Sequence, residues 1–246
     1  MNQLDEIVYD IELHSVGGIR RHFEAGISPN VHYKGKPLFD TLISMYTRGP
    51  RFSDCVQCFV DHGLIFEDKA VLSVLRDDAK ELERLIKADP TTVSKQYSLS
   101  NAFTPFDKVT LLHICAEFNH LSCARVLIAN GADINAKAGY DEDGFGGQTP
   151  IFHTVNQNQN NSGEIMDYLL SMPIDLTTIV KGLVWGKGQD WETLIPAVNP
   201  ISYAMMGMLP QMHRREVVVA EVVSRLIKHA YGIDYTPRNV PCKYLQ

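Results

Sequence analysis

The sequence predicts an all-α protein, a solenoid of stacked helix pairs. Three observations predict it. Residues 110–135 read as two short helices with a start and a stop, similar pairs recur along most of the chain, and one such pair cannot bury its own apolar stripe. In that segment the Thr110 hydroxyl can cap the first helix, and His113, one turn in, can tie the turn backbone together. Ile114, Cys115 and Ala116 keep one face apolar and small, which allows close helix packing. In the second helix Cys123, Val126, Leu127 and Ile128 recur at helical spacing with Arg125 left outside. Gly131 then supplies the left-handed residue that stops it.

The opening Thr110-Leu111-Leu112-His113, the triplet Val126-Leu127-Ile128 and the exit Gly131-Ala132-Asp133 together resemble one ankyrin repeat. Degenerate neighbours follow in order. Asp5, Glu6, Asp10 and Glu12 give a first helix the polar face of an array cap, and Ile19 to Asn30 reads as its partner helix and exit. Gly35-Lys36-Pro37-Leu38-Phe39-Asp40-Thr41-Leu42 resembles the family's G-x-T-P-L-H-x-A start, with Phe39 in place of the histidine, and Cys55 to Gly63 closes that unit. Ala70 to Asp77 and Leu82 to Asp89 form a compact third pair without the turn motif. After the unit centred on His113, Gly147-Gln148-Thr149-Pro150-Ile151-Phe152-His153-Thr154 restores the start and Ile165 to Ser171 supplies the paired helix. Asn199 to Ala204 opens a sixth unit, completed by Val217 to His229. The expectation is one domain over 1–246, with repeats at about 4–34, 35–68, 69–107, 108–146, 147–198 and 199–235 and an extended tail over 236–246.

The spacing is irregular. Successive helix-ending positions Gly26, Gly63, Asp89, Gly131 and Pro173 lie 37, 26, 42 and 42 residues apart, against about 33 in the family. The surplus falls into four insertions, Tyr46 to Asp54, Pro90 to Lys108, Ala138 to Gly147 and Thr177 to Val198. Loops of that length within a compact domain are more often functional or disordered than idle. The run Asn156 to Gly163 reads as a polar loop between two helices that offers nothing to a core.

Composition narrows the class of work. At 246 residues and 45% apolar content the chain can bury a long core. The start Met1-Asn2-Gln3-Leu4-Asp5-Glu6 lacks a basic region followed by an apolar run, and no apolar segment approaches the about 18 residues of a membrane span. A cytoplasmic monomer with no membrane partner is expected. The formal charge of −6 argues against a nucleic-acid partner, because phosphate contact needs clustered Lys and Arg. Arg20-Arg21 and His213-Arg214-Arg215 are too short to change that.

Cys55-x-x-Cys58 with His62 has a metal-like spacing, and a closed zinc site would need a fourth ligand such as His120 or His22. Aligning the units places Cys55 with Cys123 and Ile165, and Cys58 with Val126 and Tyr168, so both are expected as buried thiols acting as small hydrophobes. No metal and no cofactor are expected. Five cysteines without a secretion signal also argue against a disulfide framework. Cys115, His113 and Asp133 could be drawn as a nucleophile, base and orienter, but the resemblance assigns His113 to the turn and Cys115 to a packed face. There is no phosphate loop, H-E-x-x-H helix or G-x-S-x-G elbow. The acidic run Asp141-Glu142-Asp143 lacks the spaced D-x-D-x-D-G calcium pattern, and Asp143 to Gly147 reads as a turn. No catalytic residue is expected, and the chain is read as not an enzyme.

The surface remains. The resemblance implies that the turns project from one edge and, with the first helices, form a concave groove where proteins bind. Ile179 to Trp185 and Trp191 to Ile195 lean towards β-structure and flank Gly186-Lys187-Gly188, which suits an extended hairpin. Aromatic residues beside a cation are the usual interface anchors, so Trp185, Lys187 and Trp191 are candidate contacts, joined by Tyr140, Asp143 and Phe145 of the preceding turn. The alternative for both indoles is that they fold back and brace the hairpin. The expected function is non-catalytic recognition of an unidentified protein. The alternative is a ligand-binding protein or enzyme with a site between the 141–147 loop and the 181–192 hairpin, which needs a deep pocket where Asp143, Lys187 and Trp191 converge.

Overall fold

Helix starts and stops are set by local chemistry along most of the chain. The structure, a computed structural model, describes residues 3–206 and 215–237. In the first pair, α1 (Gln3–Glu12) and α2 (Val16–Glu24), the Ser15 hydroxyl accepts from the Gly18 N–H. The second pair is α3 (Leu38–Ser44) and α4 (Phe52–Asp61), and the third is α5 (Lys69–Leu75) and α6 (Ala79–Ala88). Asp68 caps α5 through the N–H groups of Ala70 and Val71, and Asp78 caps α6 through that of Glu81. The fourth pair, α7 (Leu111–Phe118) and α8 (Leu121–Ala129), opens on Thr110 and His113 and stops at Gly131 with φ of 88°.

The fifth pair departs from expectation. Its first member is a 3-10 turn, Pro150–His153, and only the second, α9 (Gly163–Leu170), is an α-helix. Pro150 starts the turn, but Thr154 and Val155 are poor helix formers and the Thr154 hydroxyl donates to the Ile151 carbonyl, diverting the ladder. In the last pair, α10 (Pro200–Met205) and α11 (Glu216–Tyr231), Asn199 and Ser202 form a reciprocal cap.

Helices of like order stack. The first members pack as α1 on α3, α5 on α7, α7 on the 150–153 turn and that turn on α10. Among the second members, α2 lies on α4, α6 on α8 and α8 on α9. One hydrophobic cluster runs from Ile7 to Leu226, and Cys55, Cys58, Cys115, Cys123 and Leu127 belong to it with Val126 packed at its margin. Burial raises the Cys55 thiol to about 12 and the Cys115 thiol well above its ordinary value, so both stay protonated and apolar.

The all-α description is corrected by three antiparallel hairpins, all in segments that join one pair to the next. β1 (His32–Tyr33) pairs with β2 (Lys36–Pro37), β3 (Tyr97–Leu99) with β4 (Phe106–Val109), and β5 (Val180–Trp185) with β6 (Thr193–Val198). Only the last was expected, and its second strand starts two residues later than expected because Gly186 to Glu192 are spent on the turn. β3 and β4 hold together because Tyr97, Phe106 and Val109 turn into the core.

The run Asn156 to Gly163 is also corrected. Gln157 and Ser162 are buried, donating to the carbonyls of His153 and Glu117, and the Asn161 amide donates to the Arg48 carbonyl. These side chains satisfy backbone acceptors at the end of the 150–153 turn, at the end of α7 and in the link after α3. Among the described residues no helix is long and apolar enough to cross a membrane. His213, Arg214, Cys242 and tail residues 238–246 lie outside the described residues.

Candidate protein-recognition edge

The last hairpin presents its two tryptophans in opposite ways. Trp185, at the end of β5, is 3% exposed, and its indole N–H donates to the Tyr203 hydroxyl of α10 at 2.8 Å. That hydroxyl also pairs with the Thr104 hydroxyl at 2.8 Å, and burial pushes the phenol far above its ordinary pKa. Trp185 is therefore a brace, and its reading as a surface contact is corrected: an indole needs a partner for its N–H when buried, and Tyr203 supplies one inside. Trp191 stays 48% exposed. Its ring lies over Gly186, where a Cβ would come within 2.4 Å of it, so glycine is required there both for space and for φ of 60°.

The tip of the β3–β4 hairpin was missed in the sequence, where Pro90 to Lys108 was only an insertion. Residues 100–105 cross the row of first helices as a strap. The Ala102 carbonyl accepts from the Gly186 N–H at 3.1 Å, the Pro105 carbonyl accepts from the Gln148 amide at 2.6 Å, and the Asn101 amide oxygen accepts from the Arg48 guanidinium at 2.6 Å. Phe103 packs edge-on against Trp185 at 5.1 Å and lies 6.0 Å from Trp191. The signal available was Phe103-Thr104-Pro105-Phe106, two aromatics after a Ser and Asn run.

The 138–147 turn packs directly on the last hairpin. Asp141 accepts from the N–H groups of Asp143 and Phe145 and forms an ion pair with Lys187 at 3.0 Å. Partial burial alone would raise the Asp141 carboxyl, but the Lys187 ammonium and the backbone donors hold it below its usual range. The Gly146 N–H donates to the Gly182 carbonyl at 2.9 Å, and the Lys181 ammonium sits 4.8 Å above the half-buried Phe145 ring. Tyr140 is 52% exposed, and Asp143 is also at the surface.

Lys187 and Trp191 line a cleft of about 440 Å³, with Lys36 of the first hairpin, Asn101 and Phe103 of the strap, and Ser98 and Asp107 of β3 and β4. No residue of the 141–147 loop lines it. Asp143 therefore does not share this cleft with Lys187 and Trp191, although its charge reaches Lys187.

At the side where the helices of each pair join, the polar groups are sealed. Arg48, in the link after α3, donates to Glu117 of α7 at 3.0 Å, to the carbonyls of Met45, Thr47 and Ile43, and to Asn101. The other Glu117 oxygen faces His153 Nδ1 at 2.9 Å. Burial alone would raise the Glu117 carboxyl, but His153 and Arg48 outweigh it and keep the carboxylate ionised. His113 serves the turn as expected, with Nδ1 accepting from the Thr110 N–H and Nε2 donating to the Gln148 carbonyl. Its burial lowers it to about 3, so it stays neutral. Cys58 Sγ lies 3.9 Å from His62, whose Nδ1 is 2.7 Å from the Cys58 carbonyl. Among the described residues no group of three or more His, Cys, Asp or Glu side chains is disposed to hold a metal ion.

A family model described as "Ankyrin repeats (3 copies)" matches residues 49–180. No curated protein matches the chain. Ankyrin repeats in general mediate protein–protein interaction, and the family is generally non-catalytic. Stacked helix pairs, hairpins in the segments that join them, the Thr110–His113 turn and a match over more than half of its length place this protein in the ankyrin-repeat family.

Proposed function

We propose that the chain recognises a protein through its hairpin edge and carries out no catalysis. The observation that carries this reading is the division of labour in one hairpin: Trp185 is buried to hold it, and Trp191 is left exposed beside a cleft. A fixed aromatic next to a cation loses little freedom on binding, which suits an interface anchor. Lys187 and Trp191 are the central contacts, with Tyr140 and Asp143 on the adjoining turn and Phe145 supporting Lys181 from beneath. The strap occupies part of the surface over the first helices, so the partner engages the rim more than the groove. We read the six helix pairs as six repeats of a single domain that works as a cytoplasmic monomer. The alternative site between the 141–147 loop and the 181–192 hairpin loses support because those segments are joined by the Lys187–Asp141 pair and the Gly146–Gly182 hydrogen bond.

The test compares immobilised wild type with the double variant Tyr140→Ala, Trp191→Ala in native lysate. Loss of a specific protein with unchanged thermal unfolding is expected. Retention of every captured protein would overturn the assignment of the edge.

A further inference from the structure

Asn101 ties the strap to the sealed Arg48 cluster by an amide whose two ends are fixed by their neighbours. Its Oδ1 accepts from the Arg48 guanidinium at 2.6 Å and from the Ala102 N–H at 2.9 Å, and its Nδ2 donates to the Thr104 carbonyl at 2.7 Å. A guanidinium and a backbone N–H only donate and a carbonyl only accepts, so a side chain with both an acceptor and a donor is needed here. Leucine would offer neither, and aspartate would set a carboxylate oxygen against the Thr104 carbonyl. Arg48 is a fixed post for this amide. It is buried, and it also donates to Glu117 and to the carbonyls of Ile43, Met45 and Thr47.

From Asn101 the strap reaches the exposed indole within two residues. The Ala102 carbonyl accepts from the Gly186 N–H at 3.1 Å, and the Phe103 ring lies 6.0 Å from that of Trp191. Gly186 and Phe103 are the floor and wall of that indole, since a Cβ on Gly186 would come within 2.4 Å of the Trp191 ring. Trp185 has a separate hold, its N–H on the Tyr203 hydroxyl at 2.8 Å. We infer that Asn101 is a positioning residue of the recognition edge: anchored on Arg48, it sets Ala102 and Phe103, and through them the place of Trp191. This rests on the proposed reading that Trp191 meets the partner. An aromatic anchor held in place before the encounter loses little freedom on binding, so the sealed cluster supports recognition from a distance.

The experiment is fluorine NMR of the full chain labelled with fluorotryptophan, which gives one signal for each of the two tryptophans, assigned with Trp191→Phe. Asn101→Ala should narrow the Trp191 signal, as its ring gains freedom, and move it toward its position in the urea-unfolded chain. The Trp185 signal, held by Tyr203, should keep the broad line of a fixed ring. Phe103→Ala should narrow the Trp191 signal as well, and the double variant should add little to the larger single effect, because both act through one contact. An unmoved Trp191 signal in Asn101→Ala, equal narrowing of both tryptophans, or effects that simply add would each overturn the positioning role. Asn101 is half-buried and Arg48 Nη2 keeps the Ile43 carbonyl without it, so Asn101→Ala should fold. If it does not, Asn101→Gln, which keeps the amide and lengthens it by one methylene, should move the same signal. An unmoved signal there, or failure of both variants to fold, would overturn the inference. The spectrum needs no partner, so its failure removes this inference alone, and the recognition edge stands or falls on the lysate test with Tyr140→Ala, Trp191→Ala.

Discussion

On the side where the helices of each pair join, Arg48, Glu117 and His153 are sealed inside the protein, whereas on the hairpin edge Lys36, Lys187 and Trp191 remain in reach of solvent. Both regions draw in part on inserted segments, Arg48 and Asn101 in one and Lys187 and Trp191 in the other, and both use charge. The buried cluster joins parts of the chain that no repeat motif connects: the link after α3, helix α7, the 150–153 turn and the β3–β4 strap. Every Arg48 nitrogen and both Glu117 carboxylate oxygens are engaged, and only His153 Nε2 is buried there with no hydrogen-bond partner among the described residues. The exposed region has the reverse character, with ammonium groups that stay in solvent even where one is paired, as Lys187 is with Asp141, and an indole resting on a glycine. The difference teaches that in an irregular array one set of links can hold the stack together while another stays exposed, and that burial distinguishes them where residue type does not.

Mutations should separate the two regions. The largest effects belong to the sealed side and its brace. Trp185→Ala should cost about 3–5 kcal/mol in urea denaturation through its cavity and the lost indole donor to the Tyr203 hydroxyl, which keeps Thr104 as a partner. Trp191→Ala on the same hairpin should change stability by less than about 1 kcal/mol; equal losses would erase the contrast. Arg48→Ala and Glu117→Ala should each cost about 3–5 kcal/mol, because each strands a buried charge. The double variant should lose less than the sum of the two, and strict additivity would show that the pair does not act as a unit.

A pH titration should give the next largest effect. Burial, with the charges of Arg48 and Arg51, lowers His14 to about 4, and burial, with His153, lowers His113 to about 3, from 6.5. The unfolded chain therefore binds more protons below 6.5. Stability from these groups is fully present above that pH, falls as pH drops from 6.5 towards 4 for His14, and falls further towards 3 for His113. His14→Asn should flatten the upper part of that decline; an unchanged slope would show that His14 is not the group that titrates. The smallest stability effect is expected at the edge, where Lys36→Glu and Lys187→Glu should shift unfolding by less than about 0.5 kcal/mol. A larger loss would mean that these lysines hold the fold.

Much of the fold was legible where a residue acts on its own neighbours. Thr110 and His113, the stop at Gly131, and the core positions of Cys55 and Cys58 follow from spacing, and the structure places them as that spacing implies. The candidate site was legible only in part. The last hairpin could be read from its β-leaning flanks and glycines, but which tryptophan faced out could not, since Trp185 is placed by Tyr203, eighteen residues away, and by Thr104, brought in on another hairpin. The strap was missed for the same reason, because its anchors Gln148 and Arg48 are distant in sequence. The buried ends of the run Asn156 to Gly163 went unread because composition alone marks amides as solvated, and only the open carbonyls of the fifth pair and of Arg48 give them a place inside.

What the sequence determined by itself was the repeating unit, because caps, helical spacing and stop residues act over three or four positions and need no distant partner. Which insertions seal the stack and which stay exposed was decided only by tertiary structure. A buried carboxylate or indole is tolerated only where a remote donor or acceptor meets it, and that meeting depends on how the helix pairs stack rather than on any local pattern.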